Sequence, residues 1–147
     1  MSTNSSSIFR RRYTPQEINK IHENSAVERL GIEFTEVGDD FMRARMPVDQ
    51  RTTQPLGVLH GGASVLLAET MGSLAGIMCV DEGWTAVGLD INANHLRAVR
   101  SGWVTGTCRP VHVGRNTQVW AIDIIDDKGK AVCASRMTLA VIPIGRV

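Results

Sequence analysis

The sequence predicts an α+β domain in which an antiparallel sheet of about six strands wraps around one long central helix. Three observations lead there. A single run, from Gly62 to about Val80, is long and apolar enough for a core helix. Six shorter runs have strand composition or period-two alternation. The connections between them are short and built from turn formers. A sheet with one apolar face needs a cover, and this helix is the only sizeable element available. The 147 residues, 43% of them apolar, suffice for one domain with one core.

Thr14 to Asn24 opens with Thr-Pro and carries Glu17 three residues after Thr14, a helix-start signature that predicts a short helix. Ile32 to Val37 and Phe41 to Val48 flank Gly38-Asp39-Asp40 and form a hairpin. In the second run Met42, Ala44, Met46 and Val48 share one face, and Arg43 and Arg45 the other. Asp49 to Leu59 is a loop. The central helix spans roughly 28 Å at 1.5 Å per residue. Thr85 to Leu96 places Val87, Leu89, Ile91, Ala93 and His95 on one face. Trp103 to Val113 and Thr117 to Ile125 are joined through Gly114-Arg115-Asn116, and Asp126-Asp127-Lys128-Gly129 turns the chain into Ala131 to Ile142. There Cys133, Ser135, Met137, Leu139 and Val141 alternate with Val132, Ala134, Arg136 and Thr138. Trp120, Ile122 and Ile124 are expected on the outer sheet face, where an apolar surface hints at an oligomer.

Residues 1–13 read as a mobile polar N-terminal tail, Ser/Asn-rich and ending in Arg10-Arg11-Arg12-Tyr13, and residues 14–147 as the domain. No apolar stretch follows the arginines, so no export signal is expected. The longest near-apolar run holds Ser64, Glu69, Thr70 and Ser73 and is poor material for a membrane span. A formal net charge of +1 argues against a nucleic-acid binder. Three widely spaced cysteines, Cys79, Cys108 and Cys133, have neither metal nor redox spacing and fit a reducing cytoplasm.

The functional reading centres on the helix. Leu67, Met71, Leu74 and Met78 form one stripe into the core. The opposite side carries Gly62, Glu69, Gly72, Ser73 and Gly76, small residues that suit close approach of a ligand or another surface. Glu69 is the only charged residue between His60 and Asp81, and carboxylates are seldom placed on buried helices without a reason. Solvation of Glu69, or pairing with an arginine, is an equally good reading of the helix alone. His60-Gly61-Gly62 shifts the balance. Unpaired N–H groups at a helix start favour negative charge, and such an amide can bind the oxygen of a polarised carbonyl. A carboxylate near that carbonyl acts as general base or nucleophile. No pair among His60, His95 and His112 has helical ligand spacing, so no metal is expected.

The stretch Gln54-Pro55-Leu56-Gly57-Val58-Leu59-His60-Gly61-Gly62-Ala63-Ser64-Val65-Leu66-Leu67-Ala68-Glu69-Thr70 resembles the hotdog-fold acyl-CoA thioesterases. So do Met46-Pro47-Val48-Asp49, Gly88-Leu89-Asp90-Ile91-Asn92-Ala93-Asn94-His95 and Val119-Trp120. Within that family the resemblance is to the branch with a helix-borne glutamate, which includes thioesterases for hydroxybenzoyl-CoA and 1,4-dihydroxy-2-naphthoyl-CoA and the enterobactin proofreading enzyme. The resemblance implies a sheet wrapped around the helix, homotetramers built as dimers of dimers, and active sites at subunit interfaces. It implies Glu69 as nucleophile or base and the Gly61 amide as carbonyl donor. Gln54 and His60 would shape the site, and Ser73 would place the water or acyl ring. Gly88, His95, Leu96, Arg97 and Ala98 match substrate positions. His112, Val113, Gly114, Arg115, Asn116 and Thr117 match the loop that holds coenzyme A. Arg97, Arg100 and Arg115 are candidate phosphate partners.

The implied substrate is an aromatic or medium acyl-CoA, or a carrier-protein thioester, and menaquinone biosynthesis is one pathway in view. Coenzyme A arrives with the substrate, so no separate cofactor, nucleic acid or membrane is expected. Two alternatives share the fold: a hydratase or dehydratase, and a non-catalytic acyl-CoA sensor.

Overall fold

The computed structural model describes residues 6–147. Two short helices come first: α1 (Pro15–Ile21), opened by a Thr14/Glu17 capping box, and α2 (Ala26–Arg29), capped by Ser25. The strands β1 (Glu33–Val37) and β2 (Met42–Pro47) precede the central helix α3 (Gly61–Met78). Four longer strands follow: β3 (Trp84–His95), β4 (Trp103–Val113), β5 (Thr117–Asp126) and β6 (Ala131–Pro143). A short 3-10 turn over Ile144–Arg146 ends the chain. All neighbours pair antiparallel in the order β1-β2-β4-β5-β6-β3. The expected α+β architecture is therefore present, with the helix boundary one residue earlier at its start and two earlier at its end. The helix α2 and the final turn were not anticipated.

The sheet curls around α3. The stripe Leu67, Met71, Leu74 and Met78 is buried, as are Met42, Ala44, Met46 and Val48 on the facing side of β2. The helix is long and apolar enough to cross a membrane, but its apolar stripe packs against the sheet.

Three expectations need correction. Trp120, Ile122 and Ile124 do not lie on the outer face: all three are completely buried under α3. The reason is Gln118 on the same face. Its side-chain amide donates to the Gly76 carbonyl of α3 (3.3 Å) and accepts from the Trp120 indole N–H (3.0 Å), so a polar residue is satisfied inside the core. Second, β3 does not keep one apolar face. Its register against β6 shifts between Gly88 and Asp90, and this bulge reverses the alternation. Ile91 and Ala93 pack inward, while Leu89 is 65% exposed. Third, the expected mobile tail does not describe residues 6–13, and residues 1–5 lie outside the described chain. Phe9 is buried and stacks on Trp120 with ring centroids 6.4 Å apart. The backbone N–H groups of Arg10 and Arg11 both donate to the Met78 carbonyl at the end of α3 (2.8 and 3.0 Å).

Cys79, Cys108 and Cys133 are unpaired thiols in the core. Burial pushes the Cys79 thiol up to about 11, opposed by the charge of Arg10. Burial also raises Cys108 and Cys133. The thiolate is the reactive form, so a thiol reagent at neutral pH should label no cysteine rapidly in the folded protein and all three after denaturation. Rapid native labelling, followed by mass spectrometry, would show that the core opens. Trp120→Ala removes the largest buried side chain and should lower stability by about 3–5 kcal/mol, read as a shifted urea midpoint.

Candidate active site

The loop before α3 is folded on itself. The Gln54 side-chain oxygen accepts from the Leu56 N–H (2.5 Å), and the Gln54 N–H donates to the Val58 carbonyl (2.9 Å). Gly57 has φ of +75°, a conformation that glycine supplies without strain. The Arg100 guanidinium donates to the Leu56 carbonyl (3.2 Å), and the Leu59 N–H to the Val99 carbonyl (2.7 Å). The loop thus delivers His60 to the helix start in a fixed geometry.

His60 is the N-cap of α3, and its Nδ1 accepts from the Gly62 N–H (2.8 Å). An accepting Nδ1 places any ring proton of a neutral His60 on Nε2. The N–H groups of Ala63 and Ser64 both donate to the His60 carbonyl (3.0 and 3.3 Å). Of the four N–H groups that open α3, that of Gly61 alone has no acceptor among the described residues. A side chain at Gly61 would crowd His95, whose Nε2 lies 2.9 Å from the position of an added Cβ. Gly61, His60 and His95 therefore cluster at the N-terminal end of the helix, while the Gln54 side chain is engaged within the preceding loop.

Glu69 lies eight residues further along, a rise of about 12 Å. It is exposed and makes no hydrogen bond or ion pair among the described residues. Its Oε1 lies 3.1 Å from the position of a Cβ added to Gly88, so Gly88 leaves room for the carboxylate. Gly62, Val65, Leu66, Thr70 and Ser73 line a shallow groove with it. The Thr70 hydroxyl donates to the Leu66 carbonyl (2.7 Å), so its proton is engaged within the helix. Glu69 and Ser73 are the lining side chains whose polar groups make no hydrogen bond among the described residues. Gly72 and Gly76 do not share this surface. An added Cβ would lie 2.8 Å from the Met137 Sδ at Gly72 and 2.3 Å from a Leu139 methyl at Gly76. Those two glycines serve the contact between helix and sheet.

The third group of expected residues lies elsewhere. His112 to Thr117 form the β4–β5 hairpin tip, closed by the Gly114 N–H donating to the Thr117 carbonyl (2.9 Å). Val113, Gly114, Arg115 and Asn116 border a cleft shared with Cys79 and Val80, at the C-terminal end of α3. The expected site residues thus fall into three groups along the helix: start, middle and end. His95, Leu96, Arg97 and Ala98 are all exposed at the end of β3. Arg97 stands near Asp126, whose carboxyl is held below its usual range by the Lys130 and Lys128 backbone N–H groups, helped by the Arg97 charge. Arg100 is engaged with the loop, whereas Arg115 has no carboxylate partner among the described residues. Sequence reasoning missed Arg10 and Trp84, which border the same cleft as the hairpin tip. The three consecutive arginines were the available signal.

Comparison with known proteins gives this geometry a family. Residues 56–133 match the thioesterase superfamily model. The chain is 50% identical over 135 residues to the 1,4-dihydroxy-2-naphthoyl-CoA hydrolase of Escherichia coli strain K12, covering 92% of this chain and 99% of the relative. It is 49% identical over 134 residues to the proofreading thioesterase EntH of Cronobacter turicensis, covering 91% and 98%. The crystal structure of thioesterase HI1161 from Haemophilus influenzae superposes with a TM-score of 0.91 at 56% identity, covering 93% of this chain and 96% of that one. On this likeness of sequence and structure, the chain belongs to the thioesterase superfamily, a hotdog-fold thioester hydrolase of the branch that holds the dihydroxynaphthoyl-CoA and EntH enzymes.

Proposed function

We propose that this chain hydrolyses the thioester of an aromatic acyl-CoA in the cytoplasm, using the Gly61 N–H of one copy and the Glu69 carboxylate of another. The single observation that carries the reading is the Gly61 N–H, without an acceptor among the described residues, at the start of the helix that bears Glu69. The amide accepts the developing oxyanion as the thioester carbonyl is attacked. Glu69 either takes a proton from the attacking water or attacks the carbonyl carbon itself, and the mixed anhydride so formed is then hydrolysed. In both routes the C–S bond breaks and coenzyme A leaves as the thiol. Dihydroxynaphthoyl-CoA is the first substrate to assay, because the relative of that name is 50% identical.

The spacing supports a shared site. A rise of about 12 Å separates Gly61 from Glu69 along one helix, too far for both to reach one carbonyl. Two copies packed with their helices antiparallel bring the start of one helix beside the middle of the other. Among the described residues the sheet order leaves the twelve-residue strand β3 with one unpaired edge, and long open edges are ready sites for pairing with another chain. A dimer through β3, and a tetramer of two such dimers, is the assembly proposed.

Two outcomes follow. Glu69→Gln should lower kcat on dihydroxynaphthoyl-CoA roughly a hundred- to ten-thousandfold, with circular dichroism unchanged. Full turnover by that variant, followed through the released thiol, removes Glu69 from the mechanism. Gly61→Val should also be inactive, since its side chain must displace His95. Mixing the two inactive variants after dissociation and reassembly should restore activity, because mixed dimers hold one intact Gly61–Glu69 pair. Reassembled mixtures that stay inactive would place the site within a single chain.

A further inference from the structure

We infer that Thr52 is a positioning residue for the carbonyl donor: its buried hydroxyl fixes His60, and through His60 the Gly61 N–H, against the end of β2. This rests on the acyl-CoA reading above and extends it to a residue outside the groups already placed at the site.

The loop between β2 and α3 is a small antiparallel ladder. The His60 N–H donates to the Thr52 carbonyl (2.8 Å), Thr53 bridges Leu59, and the Gln54 N–H donates to the Val58 carbonyl. Thr52 and His60 thus face each other at its base. Between Asp49 and His60 the only buried residue is Thr52, at 2% exposure. Its hydroxyl is used in both senses. It donates to the Pro47 carbonyl (2.6 Å) and accepts from the Asp49 N–H (3.2 Å). Pro47 is the last residue of β2 and pairs with Trp103 on β4, and the Val48 N–H donates to the Gly102 carbonyl (2.8 Å). The hydroxyl therefore ties one leg of the ladder to the sheet where the chain leaves it. Valine would fill the same space but leave the Pro47 carbonyl and the Asp49 N–H without that partner.

The other leg carries the donor. His60 has its backbone N–H on the Thr52 carbonyl and its Nδ1 on the Gly62 N–H (2.8 Å), so it is held between the ladder and the first turn of α3. The Gly61 N–H shares a planar peptide with the His60 carbonyl, so fixing His60 aims that donor. A donor stabilises an oxyanion only from the right direction and distance, and a displacement of about 1 Å costs on the order of a hundredfold in rate. Arg100 also holds the loop, but through one exposed contact to the Leu56 carbonyl at the far end of the ladder. Thr52 acts at the base, beside His60.

The test compares Thr52→Val, which keeps the shape and loses the hydroxyl, with Thr52→Ser, which keeps the hydroxyl and loses the methyl group. On an acyl-CoA that the parent protein hydrolyses, Thr52→Val should lower kcat roughly ten- to a hundredfold. KM should stay within about twofold, because the oxyanion charge develops only toward the transition state. Thr52→Ser should keep kcat within about threefold of the parent, since the hydroxyl remains. Thr14→Ala removes the hydroxyl that caps α1, lowers stability away from the site and should leave kcat unchanged. Hydrogen exchange, read by mass spectrometry, should speed up over residues 52–62 in Thr52→Val and stay at the parent level from Leu67 to Met78. Parent-like kcat in Thr52→Val overturns the inference. So does an equal loss of kcat in Thr52→Ser or Thr14→Ala, a raised KM without a fall in kcat, or exchange that rises evenly along the chain. If Thr52→Val does not fold, Thr52→Ser carries the test: parent-like kcat and exchange support the inference, and a folded Thr52→Ser that has lost kcat overturns it. If the parent hydrolyses no thioester, the acyl-CoA reading fails, and the exchange comparison still decides whether Thr52 holds His60.

Discussion

The contact between α3 and the concave face of the sheet positions every other element. It is close because glycines stand where the two surfaces meet. Gly72 and Gly76 on the helix lie under Met137 and Leu139, and Gly106 on β4 lies under the Met71 sulfur, 2.6 Å from where its Cβ would be. Each side chain fills the space that the facing glycine leaves, so the interlock is mutual and dense. Met71, Met137 and Met78 are flexible enough to follow the curvature of the sheet. The hydrogen bond from Gln118 to the Gly76 carbonyl fixes where β5 meets the helix. That closeness presses the apolar stripe inward and turns Glu69 to the far side. The position of the carboxylate is thus a consequence of core packing.

Much of this was legible in the sequence, for identifiable reasons. β2 alternates methionine and alanine with arginine, so its buried face could be read directly, and all the core residues assigned to it are buried. β5 was misread because both of its faces carry apolar residues. Val119, Ala121 and Ile125 on one side compete with Trp120, Ile122 and Ile124 on the other, and periodicity cannot choose between two greasy phases. A polar Gln118 on the truly buried face made the wrong choice look better. The bulge at Leu89 was invisible because it inserts one residue into an otherwise regular pattern. Glu69 was legible because it is the only charge on an apolar helix. Gly72 and Gly76 were misassigned because a small residue suits a ligand and a packed sheet equally well. The N-terminal strap was missed because its anchor is one aromatic residue, Phe9, in polar sequence.

The two ends of α3 are finished in opposite ways. At the C-terminal end the Met78 carbonyl accepts from Arg10 and Arg11, the Ile77 carbonyl from Val80, and the Gly76 carbonyl from Cys79 and Gln118. At the N-terminal end His60 takes three of the four opening N–H groups through its ring and its carbonyl, leaving that of Gly61. An unpaired N–H is costly once water is excluded. The fold spends a separate N-terminal strap on one end of this helix and leaves a donor open at the other, where a glycine permits close approach. On the proposed reading, this asymmetry gives a ligand oxygen a donor at the helix start, and that donor is strongest toward an oxygen carrying developing negative charge. The proposed reaction would give the Gly61 N–H an acceptor that the described residues do not supply.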